Sequence, residues 1–174
     1  SLVGATFVAS LIAAAAFSAN AQEFTLKMQS SDSAGVPNFE LEQDWAKRVG
    51  VMTGGRVEVE MLPVNSIVEH AETQDAIAAG ILDGHITDTS YFSGKDPAFG
   101  LIANPVGAWS APSEMLRFVE YGGGKELMNS LLNPRGLQFI GAVTPGLEAF
   151  VSSVPLDGVA DLKGLKMRAP EGMV

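Results

Sequence analysis

Apolar and polar residues alternate twice near the start of the chain, and a longer helical pattern lies between the two alternations. Residues 24–29 and 57–61 show the period of two that is typical of strands with one solvated face. Between them a helix is predicted from Pro37 to the glycines at 54–55, which would end it. Its predicted core-facing residues recur at helical spacing: Leu41, Trp45, Val49 and Met52.

The rest of the chain continues the alternation of helices and strands. Ser66 and Glu69 have the spacing of a capping box, which predicts a second helix that reaches about Ala79. A short strand is predicted over 84–89, and residues 90–107 are predicted to be irregular. This order indicates an α/β fold with a largely parallel sheet. The remaining predicted elements are a helix that starts within residues 110–113 and runs to about 121, a helix at about 125–132, and strands at 137–143, 149–153 and 165–168.

The ends of the predicted strands indicate where a ligand would bind. In open α/β sheets, ligands bind beyond the carboxyl ends of the strands. This rule selects the loops at 30–35, 89–96 and 144–148, and Arg168 at the end of the last strand. Arginine stays charged at any working pH, and its planar guanidinium matches a carboxylate with two parallel hydrogen bonds. The alternative is that Arg168 is a surface or ion-paired arginine.

Composition and charge narrow the classes of function. The chain has 174 residues, of which 47% are hydrophobic and 18% are charged, a balance typical of about one globular domain. The net charge of −9 disfavours binding to nucleic acid or to anionic membranes. An anionic ligand would therefore need a local positive group. Because there are no cysteines, disulfides, thiolate metal sites and cysteine nucleophiles are excluded.

The first 21 residues contain no charged side chain and end in Ala19-Asn20-Ala21. An apolar stretch that ends in this small-residue pattern predicts a secretory signal peptide cleaved after Ala21. We expect this signal to be incomplete at its amino terminus and the mature protein to be exported to the periplasm. A short transmembrane anchor is the alternative.

Motifs for catalysis are not found. The glycines at 122–124 precede a lysine, but the chain lacks the first glycine and the Ser or Thr of a phosphate-binding loop. There is no G-x-S-x-G motif, and His70 and His85 do not have the spacing of a zinc protease. His70 is expected on a helix surface and His85 beside a strand. No nucleophile–base pair is visible, so we expect no enzymatic activity.

Residues 80–84, 91–97 and 164–170 resemble one family: the extracytoplasmic solute-binding proteins of tripartite ATP-independent periplasmic (TRAP) transporters, the DctP-like kind. The similarity runs over most of residues 23–174. It implies a periplasmic-binding-protein-like fold of two hinged α/β domains, with the second truncated. We expect the first domain at 22–143 and the hinge with the start of the second domain at 144–174.

The resemblance implies a periplasmic receptor that captures a small organic acid for the membrane subunits of a TRAP permease. In the branch that binds 2-oxoacids, Arg168 corresponds to the arginine that holds the carboxylate, and Tyr91 to an aromatic ligand contact. Glu148 stands where an amide is expected. It could hold Na⁺ or another cation that bridges ligand and protein, or it could pair with Arg168 and weaken anion binding. Ser31, in the loop after the first strand, is a further candidate ligand contact.

Several alternatives stay open at this point. Tyr91 could equally be a core residue, since it directly precedes an apolar Phe92. The chain could also be a fragment of an α/β enzyme whose catalytic half is missing, or a structural envelope domain. Family members are about twice as long, so we expect this segment alone to bind weakly. The identity of the acid is open, and so is the choice between monomer and homodimer.

Overall fold

The computed structural model describes residues 22–103, 108–144 and 151–168. Strands and helices alternate in its first part, which confirms the predicted α/β fold. The longer elements are β1 (Phe24–Ser30), α1 (Pro37–Met52), β2 (Val57–Leu62), α2 (Thr73–Ala78), β3 (Gly84–Ile86), α3 (Pro97–Ala103), α4 (Pro112–Tyr121) and α5 (Gly124–Leu132). Short 3-10 helices lie at His70–Glu72, Thr89–Phe92, Asn133–Arg135 and Val159–Leu162.

The three strands form a parallel sheet in the order β2-β1-β3. Parallel neighbours need crossover connections, and α1 and α2 lie in the two crossovers. Met28 in the central strand is opposite Met61 on one side and Gly84 on the other. A Cβ at Gly84 would lie 3.0 Å from the Met28 methyl carbon, so glycine leaves room for that side chain.

Two apolar clusters form the core of the described residues. The first lies between α1 and one face of the sheet, where Met28, Phe39, Ala46 and Met61 are buried together. The second is built by the elements that follow β3. Its buried members are Phe92, Phe99, Met128, Leu132 and Leu137. Burying side chains of this size stabilises the fold by roughly 1.5–3 kcal/mol each.

The predicted core face of α1 is wrong. Leu41, Trp45 and Met52 are 69%, 43% and 86% exposed, whereas Phe39 and Ala46 on a neighbouring stripe are buried. The small Ala46 lets the helix lie close to the sheet, which the large residues of the predicted face would prevent.

Two predictions between β2 and α4 are also wrong. Ser66 does not cap a helix, because its hydroxyl donates to the Pro63 carbonyl (2.8 Å) and α2 begins only at Thr73. Residues 90–107 are not irregular throughout, because they include most of one 3-10 helix and all of α3. Phe92 and Phe99 are buried against each other there, with their ring centroids 6.3 Å apart. This tertiary burial was not visible in the local pattern.

The strands predicted at 137–143 and 165–168 are not formed, and residues 151–153 of the third are not in a strand either. Residues 149–150 of that third strand lie outside the described residues. A strand needs a neighbour for its N–H and C=O groups, and none of these segments pairs with the described sheet. The local residue pattern alone therefore did not determine the structure of these segments.

The signal peptide predicted at 1–21 lies outside the described residues. In the part of the chain that the structure describes, no helix combines the length and the apolar character needed to span a bilayer.

We expect Phe99→Ala to lower the free energy of unfolding by about 3–5 kcal/mol, because it leaves a cavity beside Phe92. Urea unfolding of the full-length protein that contains this segment would measure it. Leu101→Ala in the same helix is the matched control, since Leu101 is exposed and its truncation should cost less than about 0.5 kcal/mol. Equal losses in the two variants would contradict this description of the second core.

Candidate ligand-binding site

The loops that follow the three strands are joined to one another at the carboxyl end of the sheet. The Ser31 N–H donates to the Ile86 carbonyl at 2.9 Å. We call residues 31–36, 63–72 and 87–92 the strand-end rim. The rim occupies the position at which open α/β sheets bind ligands.

A second connection ties the loop after β2 to the loop after β1. The Val64 N–H donates to the Asp32 carbonyl at 2.9 Å. The side chain of Gln29, which is fully buried, reaches the same loop from β1. Its Oε1 accepts from the N–H groups of Ile67 (2.9 Å) and Val68 (3.2 Å), and its Nε2 donates to the Val68 carbonyl (2.8 Å). Satisfied buried polar groups of this kind fix a local structure firmly.

A carboxyl group of α1 lies beneath the first loop. Burial raises the pKa of Glu42 above its ordinary value; a hydrogen bond with Ser30 opposes this, and the nearby Asp32 adds to it. One carboxylate oxygen of Glu42 is buried without a hydrogen-bond partner. Ser30 itself is buried, and its hydroxyl accepts from the Asp32 N–H at 2.8 Å.

His70 and Tyr91 meet on the rim. Their ring centroids are 4.8 Å apart with an interplanar angle of 71°, an edge-to-face contact. Both residues are half-buried, and Tyr91 also packs against the second core. His70 was expected on a helix surface. That expectation did not include its contact with Tyr91, a candidate ligand-binding residue 21 positions later in the chain.

His85 connects β3 to α2. Burial lowers its pKa to about 4, so the imidazole is neutral at pH 7. Its Nδ1 lies 2.7 Å from the Thr73 hydroxyl oxygen, and that hydroxyl is 2.9 Å from the His70 carbonyl. Because the Thr73 hydroxyl has one proton and donates it to His70, it accepts from His85. We therefore assign the Nδ1–H tautomer to His85.

The structure places the predicted site residues in different parts of the chain. Ser31 and Tyr91 both lie on the strand-end rim, so that part of the predicted site is brought together. Arg168 is exposed in the segment 151–168, whose hydrogen bonds to other described residues are all local. Within the described ranges no carboxylate is within ion-pair distance of its guanidinium. Glu148 lies outside the described residues.

The described residues offer no alternative site with suitable chemistry. Among them, no group of three or more His, Asp or Glu side chains is arranged to hold a metal ion. A groove of about 430 Å³ lies between α1 and β2, away from the rim. Its one lysine, Lys47, is at 4.0 Å from Asp44, so the groove offers little unbalanced positive charge to an anion.

Comparison with known proteins identifies the relatives of this chain. The family model described as "Bacterial extracellular solute-binding protein, family 7" matches residues 29–174. A monocarboxylate 2-oxoacid-binding periplasmic protein of Nostoc is 27% identical over 156 residues, which are 81% of this chain and 43% of the relative. A solute-binding protein of Roseobacter denitrificans is 27% identical over 169 residues, 97% of this chain and 50% of the relative. The chain thus spans about half the length of the curated relatives it matches.

Solved structures show the same relationship. A TRAP periplasmic solute-binding protein of Rhodobacter sphaeroides, in an apo open structure, is 66% identical with a TM-score of 0.73. The match covers 84% of this chain and 47% of that one. A Colwellia psychrerythraea protein with bound calcium and pyruvate is 24% identical, has a TM-score of 0.56, and is matched over 66% of this chain and 35% of its own. At that identity the likeness shows the fold alone.

We expect His85 to make stability depend on pH. Its pKa is about 4 in the fold and about 6.5 when unfolded, so its contribution is complete above pH 6.5 and is lost as the pH falls towards 4. In the full-length protein, the difference in unfolding free energy between wild type and His85→Gln should change by up to about 1.4 kcal/mol per pH unit in this window. Urea unfolding from pH 4 to 8 would measure it. A constant difference would refute the buried, neutral imidazole.

Proposed function

The chain belongs to family 7 of the bacterial extracellular solute-binding proteins, and from that membership we propose a periplasmic receptor for a small organic acid. The observation that carries the proposal is the family match over residues 29–174, supported by the 66% identical TRAP periplasmic solute-binding protein. The receptor would deliver its ligand to the membrane subunits of a TRAP permease. Membership of a family of transporter binding proteins favours a receptor that binds its ligand without a reaction. It disfavours the alternative that the chain is a fragment of an enzyme.

The ligand class follows from a relative and from electrostatics. The Nostoc relative is named for binding monocarboxylate 2-oxoacids. A chain of net charge −9 repels anions at long range, so a bound carboxylate needs a fixed cation close to it. Arg168 supplies such a group: its guanidinium is exposed and no carboxylate of the described residues neutralises it. We propose that Arg168 binds the carboxylate of the ligand.

The acid would be bound by two parts of the protein at once. The strand-end rim, with Ser31 and Tyr91, belongs to the proposed first domain at 22–143, and Arg168 to the proposed second, which starts at 144. A ligand that contacts both domains binds the closed form better than the open form, and so shifts the population towards closure. The permease would then distinguish the loaded receptor by its closed shape.

A cation is the second element of the proposal. Solved proteins of this fold contain calcium with pyruvate in one case and sodium with pyruvate in another. The resemblance to 2-oxoacid binders suggests Glu148 as the candidate cation ligand in this chain. A carboxylate oxygen is a suitable ligand for either ion. A cation there would also prevent Glu148 from neutralising Arg168.

Arg168→Ala in the full-length protein should weaken binding of the organic acid by about 10- to 100-fold, because a hydrogen bond to a charged group contributes about 1.5–3 kcal/mol. Thermal shift against a panel of organic acids, followed by calorimetry on the best one, would measure this. Lys166→Ala is the matched control, since Lys166 is an exposed cation two residues away. Equal stabilisation of wild type and Arg168→Ala would keep the receptor but discard Arg168 as its anchor.

The cation proposal predicts that removing free metal with a chelator, in sodium-free buffer, weakens acid binding by wild-type protein. Glu148→Gln should reduce the dependence of affinity on added Ca²⁺ or Na⁺, because the neutral amide is a weaker ligand than the carboxylate. Calorimetry at several cation concentrations would test it. If chelation has no effect and Glu148→Gln binds more tightly, Glu148 instead pairs with Arg168.

A further inference from the structure

His70 has no part in the function proposed so far, although it lies on the strand-end rim beside Tyr91. We propose that His70 is a specificity residue of the receptor: its imidazole donates a hydrogen bond to an oxo or hydroxyl oxygen of the ligand, while Arg168 binds the carboxylate. This inference rests on the proposed receptor function. It names a subclass of acids, those that carry an uncharged oxygen acceptor.

The backbone of His70 is fixed on both sides. Its N–H donates to the Asn65 side-chain oxygen at 2.9 Å, and its carbonyl accepts from the Thr73 hydroxyl at 2.9 Å. Asn65 has a φ of +59°, a left-handed conformation that asparagine adopts more readily than other non-glycine residues. In this conformation its side-chain oxygen accepts from the His70 N–H. A residue held in this way loses little further freedom when it binds a ligand.

The ring of His70 is supported on one side and accessible on another. Tyr91 meets it edge to face at 4.8 Å, and Tyr91 in turn packs against the buried second core. His70 remains half-buried rather than enclosed. The contact with Tyr91 favours the observed orientation of the ring, and the partial exposure of His70 is compatible with contact to a ligand atom.

The chemistry of this position favours a neutral oxygen. Imidazole keeps at least one N–H donor in either protonation state, so it can serve an oxygen acceptor throughout the working pH range. The neighbouring Glu69 and Glu72 are exposed carboxylates, which disfavour a second negative charge on the ligand. An oxo or hydroxyl group satisfies the donor without that repulsion.

The test compares wild type and His70→Phe in the full-length protein, by calorimetry with pyruvate, lactate and propionate. Propionate has the same carboxylate and carbon number but lacks the second oxygen. Phenylalanine keeps a ring against Tyr91 and removes the N–H donors. We expect His70→Phe to weaken pyruvate and lactate about tenfold, the effect of one hydrogen bond, and to leave propionate within twofold of wild type.

Three outcomes would overturn the inference: His70→Phe binds all three acids as wild type does, it weakens all three equally, or wild-type protein binds none of them. The first leaves the receptor function intact, because wild-type protein still binds the acids. The second would show that His70 acts only through packing, and the thermal unfolding midpoint of the ligand-free variant would then be lowered. The third would overturn the inference alone if another acid of the thermal-shift panel stabilises wild-type protein, and would remove the acid-receptor proposal as well if none does, so the two failures are distinguishable.

Discussion

The buried amide of Gln29 is the interaction on which the geometry of the candidate site depends. It is fully enclosed in the central strand, and its three hydrogen bonds all go to the backbone at Ile67 and Val68. An amide buried without such partners would cost about 1–3 kcal/mol, so the loop after β2 is strongly held in place. Asn65 lies just before this anchored point, and His70 and Thr73 lie just after it. The rim is therefore an extension of the sheet and not a set of independent loops.

Periodicity predicted the first part of the fold well and the second part poorly. Strands β1 and β2 and helix α1 lie close to where the alternation placed them, because each element buries one face within its own length. The segment 165–168 has the same alternation but no strand to pair with in the described sheet. Helix α1 shows a related failure: it carries two apolar stripes, and only packing decides which of them the sheet buries. Local patterns contain no information about that choice.

The candidate site was predicted in part, for a similar reason. Loop positions at the carboxyl ends of strands selected Ser31, and resemblance supported Tyr91. Nothing in the sequence indicated Gln29, whose partners are 38 and 39 residues away, or the pairing of His70 with Tyr91. A glutamine in an alternating strand has the appearance of a solvated residue. Long-range hydrogen bonds of this kind leave no periodic signal in a single sequence.

The hydroxyl of Thr73 links the two histidines of the chain. It accepts from His85 on β3 and donates to the carbonyl of His70 on the rim. Position 73 therefore requires a side chain that is both donor and acceptor in a buried place, which serine can supply and an isosteric valine cannot. A replacement of His85 would deprive the same hydroxyl of its donor. Positions 73 and 85 should consequently vary together rather than separately among closely related proteins, whereas position 70 contributes only a backbone carbonyl and is not constrained by this link.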